Sequence, residues 1–170
     1  MQVDYDPGKT SYKDLIDIFW SSHEPTARSW SRQYRAAVFY HDERQEKLAM
    51  ETREGLQAKF MGEISTDIVP FTEFYRAEDY HQKHALQHSY EFMMEFKNMY
   101  PSFEDIVSST AAARVNGYLG GYGTMMGLRV ELDSYGLSPE ASQHLLDLVK
   151  ASTRYQCQRS GSCSQIPDNL

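Results

Sequence analysis

Apolar residues in the first part of the chain recur with two different periods, which predict strands and helices in alternation. Three short segments, at residues 2–5, 34–40 and 64–69, either alternate apolar and polar side chains or concentrate aromatic and β-branched ones. Both patterns are typical of strands that bury one face. We therefore expect three strands, with Asp6-Pro7-Gly8 forming a turn directly after the first.

The intervals between these strands carry helical periodicity and residues that cap helices. Ser11, followed three positions later by Asp14, predicts a capping box, and the helix that it starts is expected to end near Ser22. Asp42 predicts the N-cap of a second, highly charged helix over residues 43–60. The order β-α-β-α-β predicts an α/β or α+β core in which helices pack on a small sheet.

The remainder of the chain, from residue 79 to about residue 152, is predicted to be helical. Proline and glycine divide this part into separate helices, because proline starts a helix easily and glycine ends one. The predicted helices cover residues 79–99, residues 101–114, a stretch that ends near 135, and residues 138–152, with a glycine-rich turn at 116–123. The side chains predicted to be buried in the last helix are Leu145, Leu146, Leu148 and Val149.

Composition and charge exclude several classes of protein. The formal net charge is −7 and no basic stripe occurs, which argues against a nucleic-acid-binding surface. No apolar run reaches the length of about eighteen residues that a membrane span needs, so we expect no membrane partner. The polar, acidic start is unlike a secretory signal. Both cysteines, Cys157 and Cys163, lie near the C-terminus, so we predict a cytoplasmic protein without a disulfide framework.

The segment after the third predicted strand contains acidic, aromatic and histidine residues that are candidates for a site. Glu78 and Asp79 suit a functional loop, but the start of a helix, where the macrodipole stabilises acidic side chains, is the favoured interpretation. His81, His84 and His88 share one helical face. A carboxylate-bridged metal site needs a second Glu-x-x-His step, which this sequence lacks, so we predict no metal site.

Two pairs of residues leave alternatives open. Trp30 and Tyr34 are placed so that they could line an apolar cage, although aromatic residues at the start of a strand more often belong to the core. Cys157 and Cys163 are separated by five residues in a tail rich in serine and glycine. Such thiols can form a disulfide or exchange with another thiol, and the alternative is two ordinary exposed thiols.

Four segments together resemble the peptide methionine sulfoxide reductase A family, whose members reduce the S epimer of methionine sulfoxide. They are VDYDPGKTSYKDLIDIFWSSHEPT (residues 3–26), RQYRAAVFY (32–40), ISTDIVPFTEFYRAEDYHQK (64–83) and NGYLGGYG (116–123). The first three cover most of residues 3–83 in the family's order. The resemblance implies a ferredoxin-like α+β core over residues 1–87. A helical extension over 88–152 and a flexible tail with both cysteines over 153–170 are expected to follow.

The resemblance also implies a reaction and its partners. In this family a thiolate attacks the sulfoxide sulfur, a second thiol resolves the sulfenic acid, and thioredoxin reduces the disulfide. Tyr34 matches a family tyrosine that hydrogen-bonds the sulfoxide oxygen. Leu119 replaces a turn cysteine, so Cys157 and Cys163 become the candidate resolving thiols. We expect a monomer that acts on methionine sulfoxide in proteins or peptides, with thioredoxin as external reductant and no bound cofactor.

The chain departs from the family pattern at the reacting groups. The family's nucleophile lies in a Gly-Cys-Phe-Trp segment that occurs nowhere in these residues. The family's usual aspartate also has no counterpart, because Ser29-Trp30-Ser31-Arg32 occupies its place. We therefore expect an N-terminally incomplete chain that is inactive alone, from a protein of the cytoplasm or, with a targeting segment upstream, of mitochondria. The alternative is a non-catalytic family member that binds a partner or an oxidised peptide.

Overall fold

The computed structural model describes residues 2–31 and 34–160, the last seven of them as backbone. The chain divides into two compact units on either side of the Arg76–Ala77 bond. This division falls inside the segment 64–83 that carries part of the family resemblance. The predicted boundaries at residues 87 and 152 remain predictions.

The first unit alternates helices and strands, as its sequence pattern predicts. Its elements are α1 (Tyr12–Ser21), β1 (Ala37–Tyr40), α2 (Glu43–Gln57) and β2 (Asp67–Pro70). Strands β1 and β2 pair in parallel, with Ala37 opposite Asp67 and Tyr40 opposite Pro70. Parallel strands need a crossover connection, which α2 provides here. With the helices of the second unit, this small sheet confirms the predicted α+β class.

The two predicted helix starts are both confirmed. At the start of α1, Asp14 N–H donates to Ser11 Oγ at 3.2 Å, while Ser11 N–H donates to Asp14 Oδ2 at 2.9 Å, which completes the capping box. At the start of α2, Gln45 N–H donates to Asp42 Oδ1 at 2.8 Å. These local bonds satisfy backbone donors that a helix leaves unpaired, which is why nearby residues alone predict them.

A small core lies between the helices and the sheet of the first unit. Its buried apolar side chains are Ile16, Trp20, Ala49 and Ile64. The indole N–H of Trp20 donates to Thr52 Oγ1 at 3.0 Å, so the polar atom of this large side chain is satisfied inside the core. Ile18 on α1 points outward with 63% of its surface exposed, so the apolar face of this helix is narrower than its sequence indicates.

The strand predictions for the first unit are only partly correct. Residues 2–5 do not form a strand, because no described segment pairs with them and an isolated strand has no ladder to satisfy its backbone. The predicted strand 34–40 begins three residues late, at Ala37, and the predicted strand 64–69 becomes Asp67–Pro70. Both shifts have one cause, since β1 and β2 are strands only where they face each other.

The second unit consists of helices and turns in its described residues. Its α-helices are α3 (His84–Gln87), α4 (Tyr90–Met99), α5 (Phe103–Ser108), α6 (Thr110–Leu119), α7 (Met125–Glu131) and α8 (Pro139–Ser160), and its 3₁₀ segments are Asp79–His81 and Leu132–Tyr135. Every helix in the described part of the chain is too short or too polar to cross a bilayer.

Local geometry breaks two helices that the sequence predicts to be continuous. The predicted helix 79–99 is interrupted at Lys83, whose φ of 47° is left-handed, and α4 begins only after Ser89. The predicted helix 101–114 is divided at Ser109, which is extended and accepts a hydrogen bond from Ala112 N–H at 3.2 Å. Helix α8 runs through Ser160 and so passes the predicted end near residue 152.

A larger apolar core holds the second unit together. Its fully buried large side chains are Leu86, Phe92, Phe96, Ile106, Val115, Leu128 and Leu145. On α8, Leu145 and Val149 are buried as predicted and Leu146 is partly buried, but Leu148 is 39% exposed, so its predicted burial is wrong. The buried residues follow the helical repeat of α8, which turns Leu148 away from the core.

The glycine-rich segment offers a matched test of this packing. Gly123 has a φ of 94°, and a Cβ there would lie 2.5 Å from Tyr118 Cε1, whereas a Cβ at Gly117 in α6 meets nothing within 4 Å. We expect Gly123→Ala to lower the free energy of unfolding by about 2 kcal/mol or more, since strain and overlap add. Gly117→Ala, the control, is expected to raise it by about 0.5–1 kcal/mol. Urea unfolding of both variants measures the difference, and equal stabilities would contradict the geometry.

Candidate functional site

Tyr34, the predicted substrate-binding residue, lies shortly before β1. Its backbone N–H donates to Ser31 O at 3.2 Å. The side chain is 63% exposed, and no described residue forms a hydrogen bond with its hydroxyl. This hydroxyl is therefore accessible as a donor to an oxygen that arrives from solvent.

The ring of Trp30 lies against the ring of Tyr34. Their centroids are 5.2 Å apart and their planes are inclined by 34°. Trp30 is 86% exposed, so neither aromatic side chain belongs to the core, and the interpretation that the sequence favoured for this pair is wrong. The two rings form an exposed aromatic pair, and the alternative interpretation, an apolar cage, stays a prediction.

The loop that carries this aromatic pair is held at both ends by the segment that leads into β2. At its start, Ser65 N–H donates to Pro25 O at 2.9 Å and Ser65 Oγ donates to Ala27 O at 2.7 Å. At its end, the guanidinium of Arg35 forms an ion pair with Asp67 at 2.5 Å. These contacts tie the residues on either side of the aromatic pair to the rest of the first unit.

His23 links the end of α1 to the same segment. Its Nδ1 lies 2.9 Å from Phe19 O, and its Nε2 lies 3.1 Å from Oγ1 of the buried Thr66. Because a carbonyl oxygen can only accept, Nδ1 carries the proton of the contact with Phe19. The ring also packs against Phe19 and Trp20. His23 therefore supports the scaffold beneath the loop.

A separate apolar groove of about 470 Å³ lies in the first unit. Val3, Leu15, Phe19 and Phe39 are among its lining residues, and neither member of the aromatic pair lines it. The hydroxyl of Tyr12 is buried at this groove without a hydrogen-bond partner among the described residues. Burial raises the pKa of the Tyr12 hydroxyl, and the nearby Asp42 and Tyr5 raise it further. The sequence pattern gave no signal for this groove, because it depends on which side chains the tertiary fold leaves uncovered.

The two candidate resolving thiols belong to the second unit. The backbone at Cys157 forms part of α8, and its side chain lies outside the described part of the chain. Cys163 lies outside the described residues altogether. The proposed role of both thiols therefore stays a prediction.

The histidines singled out in the sequence do not converge on one point. His81 packs against Tyr80 with ring centroids 4.2 Å apart, and the rings of His84 and His88 also lie 4.2 Å apart. The Nδ1 of His88 is already engaged with His84 O at 2.8 Å. In the part of the chain that the structure describes, no three His, Cys, Asp or Glu side chains form a cluster suited to a metal ion.

The helix that follows the segment 64–83 contacts the glycine-rich segment inside the second unit. Leu86 N–H in α3 donates to Oδ1 of Asn116 at 3.1 Å, which joins α3 to the start of the glycine-rich segment. In the same unit, the Glu131 carboxylate accepts from Arg114 Nε at 2.6 Å and from the Tyr135 hydroxyl at 3.0 Å. Burial, reinforced by the nearby Glu131 carboxylate, raises the pKa of Tyr135. The Tyr135 hydroxyl therefore keeps its proton and serves as a structural donor to Glu131.

Comparison with known protein families gives one match for the first part of the chain and a second match for its helical part. A family model described as peptide methionine sulfoxide reductase matches residues 1–112, and one described as the helical domain of selenoprotein methionine sulfoxide reductase A matches residues 102–150. A peptide methionine sulfoxide reductase of Drosophila melanogaster is 35% identical over 146 residues, which cover 85% of this chain and 58% of that protein.

Shorter matches come from an archaeon and a plant. MsrA of Methanosarcina acetivorans is 43% identical over 91 residues, 49% of this chain and 48% of that protein. Peptide methionine sulfoxide reductase A2 of Arabidopsis thaliana is 39% identical over 92 residues, 51% of this chain and 42% of that protein. The chain thus spans about half the length of the curated relatives that it matches.

Proposed function

Because the chain belongs to the peptide methionine sulfoxide reductase family, we propose that it acts in the reduction of methionine sulfoxide in proteins or peptides. The observation that carries this proposal is the family match over residues 1–112, inside which the loop with Tyr34 presents an exposed hydroxyl. The chain would supply part of the substrate pocket. The same proposal includes thioredoxin as the external reductant.

In this proposal Tyr34 acts on the sulfoxide oxygen. A sulfoxide carries partial negative charge on oxygen, and that charge grows when a thiolate attacks the sulfur. A hydroxyl that donates to this oxygen binds the reacting state more strongly than the substrate, so it lowers the barrier. Arg35, the residue after this donor, forms an ion pair with Asp67, which ties the chain beside Tyr34 to the sheet.

The thiol steps follow from the chemistry of sulfur. Attack by a thiolate on the sulfoxide sulfur, with a proton delivered to the oxygen, releases methionine and leaves a sulfenic acid. A second thiol displaces water from the sulfenic acid and forms a disulfide, which thioredoxin reduces by thiol–disulfide exchange. We assign the second thiol to Cys157 or Cys163, the two cysteines of this sequence, and the first to a Gly-Cys-Phe-Trp segment.

Reductase assays on two proteins test the proposed function. We expect the 170-residue chain to show no thioredoxin-dependent reduction of a methionine sulfoxide peptide, because neither of its cysteines lies in the family's nucleophile segment. A fusion protein in which a family segment bearing Gly-Cys-Phe-Trp precedes residue 2 is expected to turn over. Its matched control replaces the cysteine of that segment by serine. Turnover by the chain alone would show that the nucleophile assignment is wrong.

A non-catalytic binding role is the second candidate. This role needs no nucleophile, only an accessible surface such as the exposed side chain of Tyr34. In that case a correctly folded fusion protein would stay inactive while the chain still bound oxidised peptides more tightly than reduced ones. The activity of the fusion protein therefore separates the two candidates.

A further inference from the structure

We infer that the outer edge of β1, the edge that faces away from β2, is a docking site for an extended peptide that joins the sheet as a further strand. The occupant is an unfolded segment of another polypeptide, with apolar side chains at alternate positions and a basic residue at one end. The inference goes beyond the proposed reduction, because main-chain pairing at this edge needs neither an oxidised methionine nor a thiol.

The first support is the hydrogen-bonding pattern of the parallel ladder. Asp67 N–H donates to Ala36 O at 3.1 Å, which fixes the residues of β1 that bond to β2. Alternate residues of a strand bond to the same neighbour, so the N–H and C=O groups of Ala37 and Phe39 point away from β2. In the part of the chain that the structure describes, the sheet contains only β1 and β2. These four backbone groups are therefore available to a further strand.

The second support is the apolar groove of about 470 Å³, which Ala37 and Phe39 line together with Val3 and Tyr5. Its volume lies within the range of ligand sites in proteins. Phe39 is 52% exposed, although it belongs to a strand of the sheet. A peptide that pairs with β1 buries part of this ring beneath its own alternate side chains, so apolar contact and main-chain pairing occur together.

The third support is the Tyr12 hydroxyl, which is buried at the groove without a hydrogen-bond partner among the described residues. Because its pKa is raised, the hydroxyl keeps its proton at neutral pH and can donate. A peptide offers carbonyl acceptors along its whole length, whereas a purely apolar ligand leaves the hydroxyl unpaired. The groove therefore suits an occupant with amide groups better than a hydrocarbon.

The charge around the groove selects the kind of peptide. Glu73 is among the described residues that line it, whereas no lysine or arginine is among them. Asp42 lies close enough to Tyr12 to raise the pKa of its hydroxyl. An acidic side chain brought to this groove meets charges of its own sign, and a lysine or arginine meets the opposite sign. A basic peptide is therefore favoured over an acidic one.

Peptides with blocked backbone groups test the main-chain pairing. The 170-residue chain, labelled with ¹⁵N, is titrated with acetyl-Lys-Thr-Val-Thr-Val-Thr-amide, which contains no methionine. We expect saturable shifts, largest at the amides of Ala37 and Phe39, because these groups gain acceptors. Two further peptides carry N-methyl groups on their second and fourth or on their third and fifth residues. We expect one to bind at least about tenfold more weakly and the other within about threefold, because only one set faces β1.

Protein variants test the two side chains assigned to the site. Tyr12→Phe is expected to weaken peptide binding about fivefold and to raise the unfolding midpoint of the free chain, because it removes an unpaired buried hydroxyl. Glu73→Gln is expected to weaken binding about threefold at low salt and to reduce its salt dependence. Glu63→Gln, the matched control, removes an exposed charge that does not line the groove and leaves binding unchanged.

Four results would overturn the inference. The first is a titration without saturable binding, and the second is binding that leaves the amides of Ala37 and Phe39 unshifted. The third is equal affinity for the two N-methylated peptides, which would show that the main chain does not pair. The fourth is a dimer in sedimentation whose Ala37 and Phe39 amides are protected from hydrogen exchange without peptide, which would assign the edge to a second copy of this chain. Each leaves the proposed reduction untouched, because none involves a sulfoxide.

Discussion

Replacing Cys157 and Cys163 together by serine is expected to abolish steady-state, thioredoxin-dependent turnover in the fusion protein while sparing a single turnover. Without a second thiol, the sulfenic acid left by the first reduction cannot condense to the disulfide that thioredoxin reduces. One equivalent of methionine should therefore form at the wild-type rate, and then the reaction should stop. Rapid quenching measures the first turnover, and oxidation of NADPH coupled through thioredoxin measures the steady state.

The matched control for this double variant is Ser152→Ala, which changes α8 upstream of both thiols. The Ser152 hydroxyl donates to Val149 O at 2.9 Å within the helix, so its loss should leave both phases unchanged. The single variants Cys157→Ser and Cys163→Ser identify which of these two thiols attacks the sulfenic acid. An unchanged steady state in the double variant would show that the terminal thiols are not the resolving pair.

Tyr34→Phe is expected to lower kcat of the fusion protein by about 100-fold, the effect of removing one donor from a developing oxyanion. The phenylalanine ring keeps the contact with Trp30, so KM should change little. Steady-state kinetics with saturating thioredoxin give both constants.

The control for Tyr34→Phe removes another exposed tyrosine hydroxyl, from the second unit. Tyr90 is 81% exposed at the start of α4, and Tyr90→Phe should leave kcat unchanged. Equal unfolding midpoints for both variants would show that neither change acts through stability. A kcat for Tyr34→Phe within twofold of wild type would contradict the proposed hydrogen bond to the sulfoxide oxygen.

The parts of the fold that depend on neighbouring residues were predictable from the sequence. Ser11 with Asp14, and Asp42 with Gln45, are bonded as their spacing predicts, because a cap and its helix lie within four residues of each other. Gly136 ends the 3₁₀ segment before it with a φ of 70°, as expected for a residue without a side chain. The family resemblance located Tyr34 in the same way, through residue types at fixed spacing.

Other features depended on segments far apart in the chain. The length of β1 was overestimated because a strand exists only where a partner faces it, and β2 faces four residues of it. Ser109 was expected inside a helix, but its side chain caps the next one. The apolar groove beside Tyr12 has no local pattern, since its walls come from separate parts of the first unit.

The sequence alone determined which family the loop before β1 resembles and which hydroxyl it carries. Only the tertiary structure decided that Trp30 and Tyr34 lie together in solvent, because burial depends on whether another element covers a ring, and residues distant in sequence make that choice. The hydrogen bonds from Ser65 to Pro25 and Ala27 hold the start of this loop. They join residues 38 to 40 positions apart, a separation that no local pattern encodes.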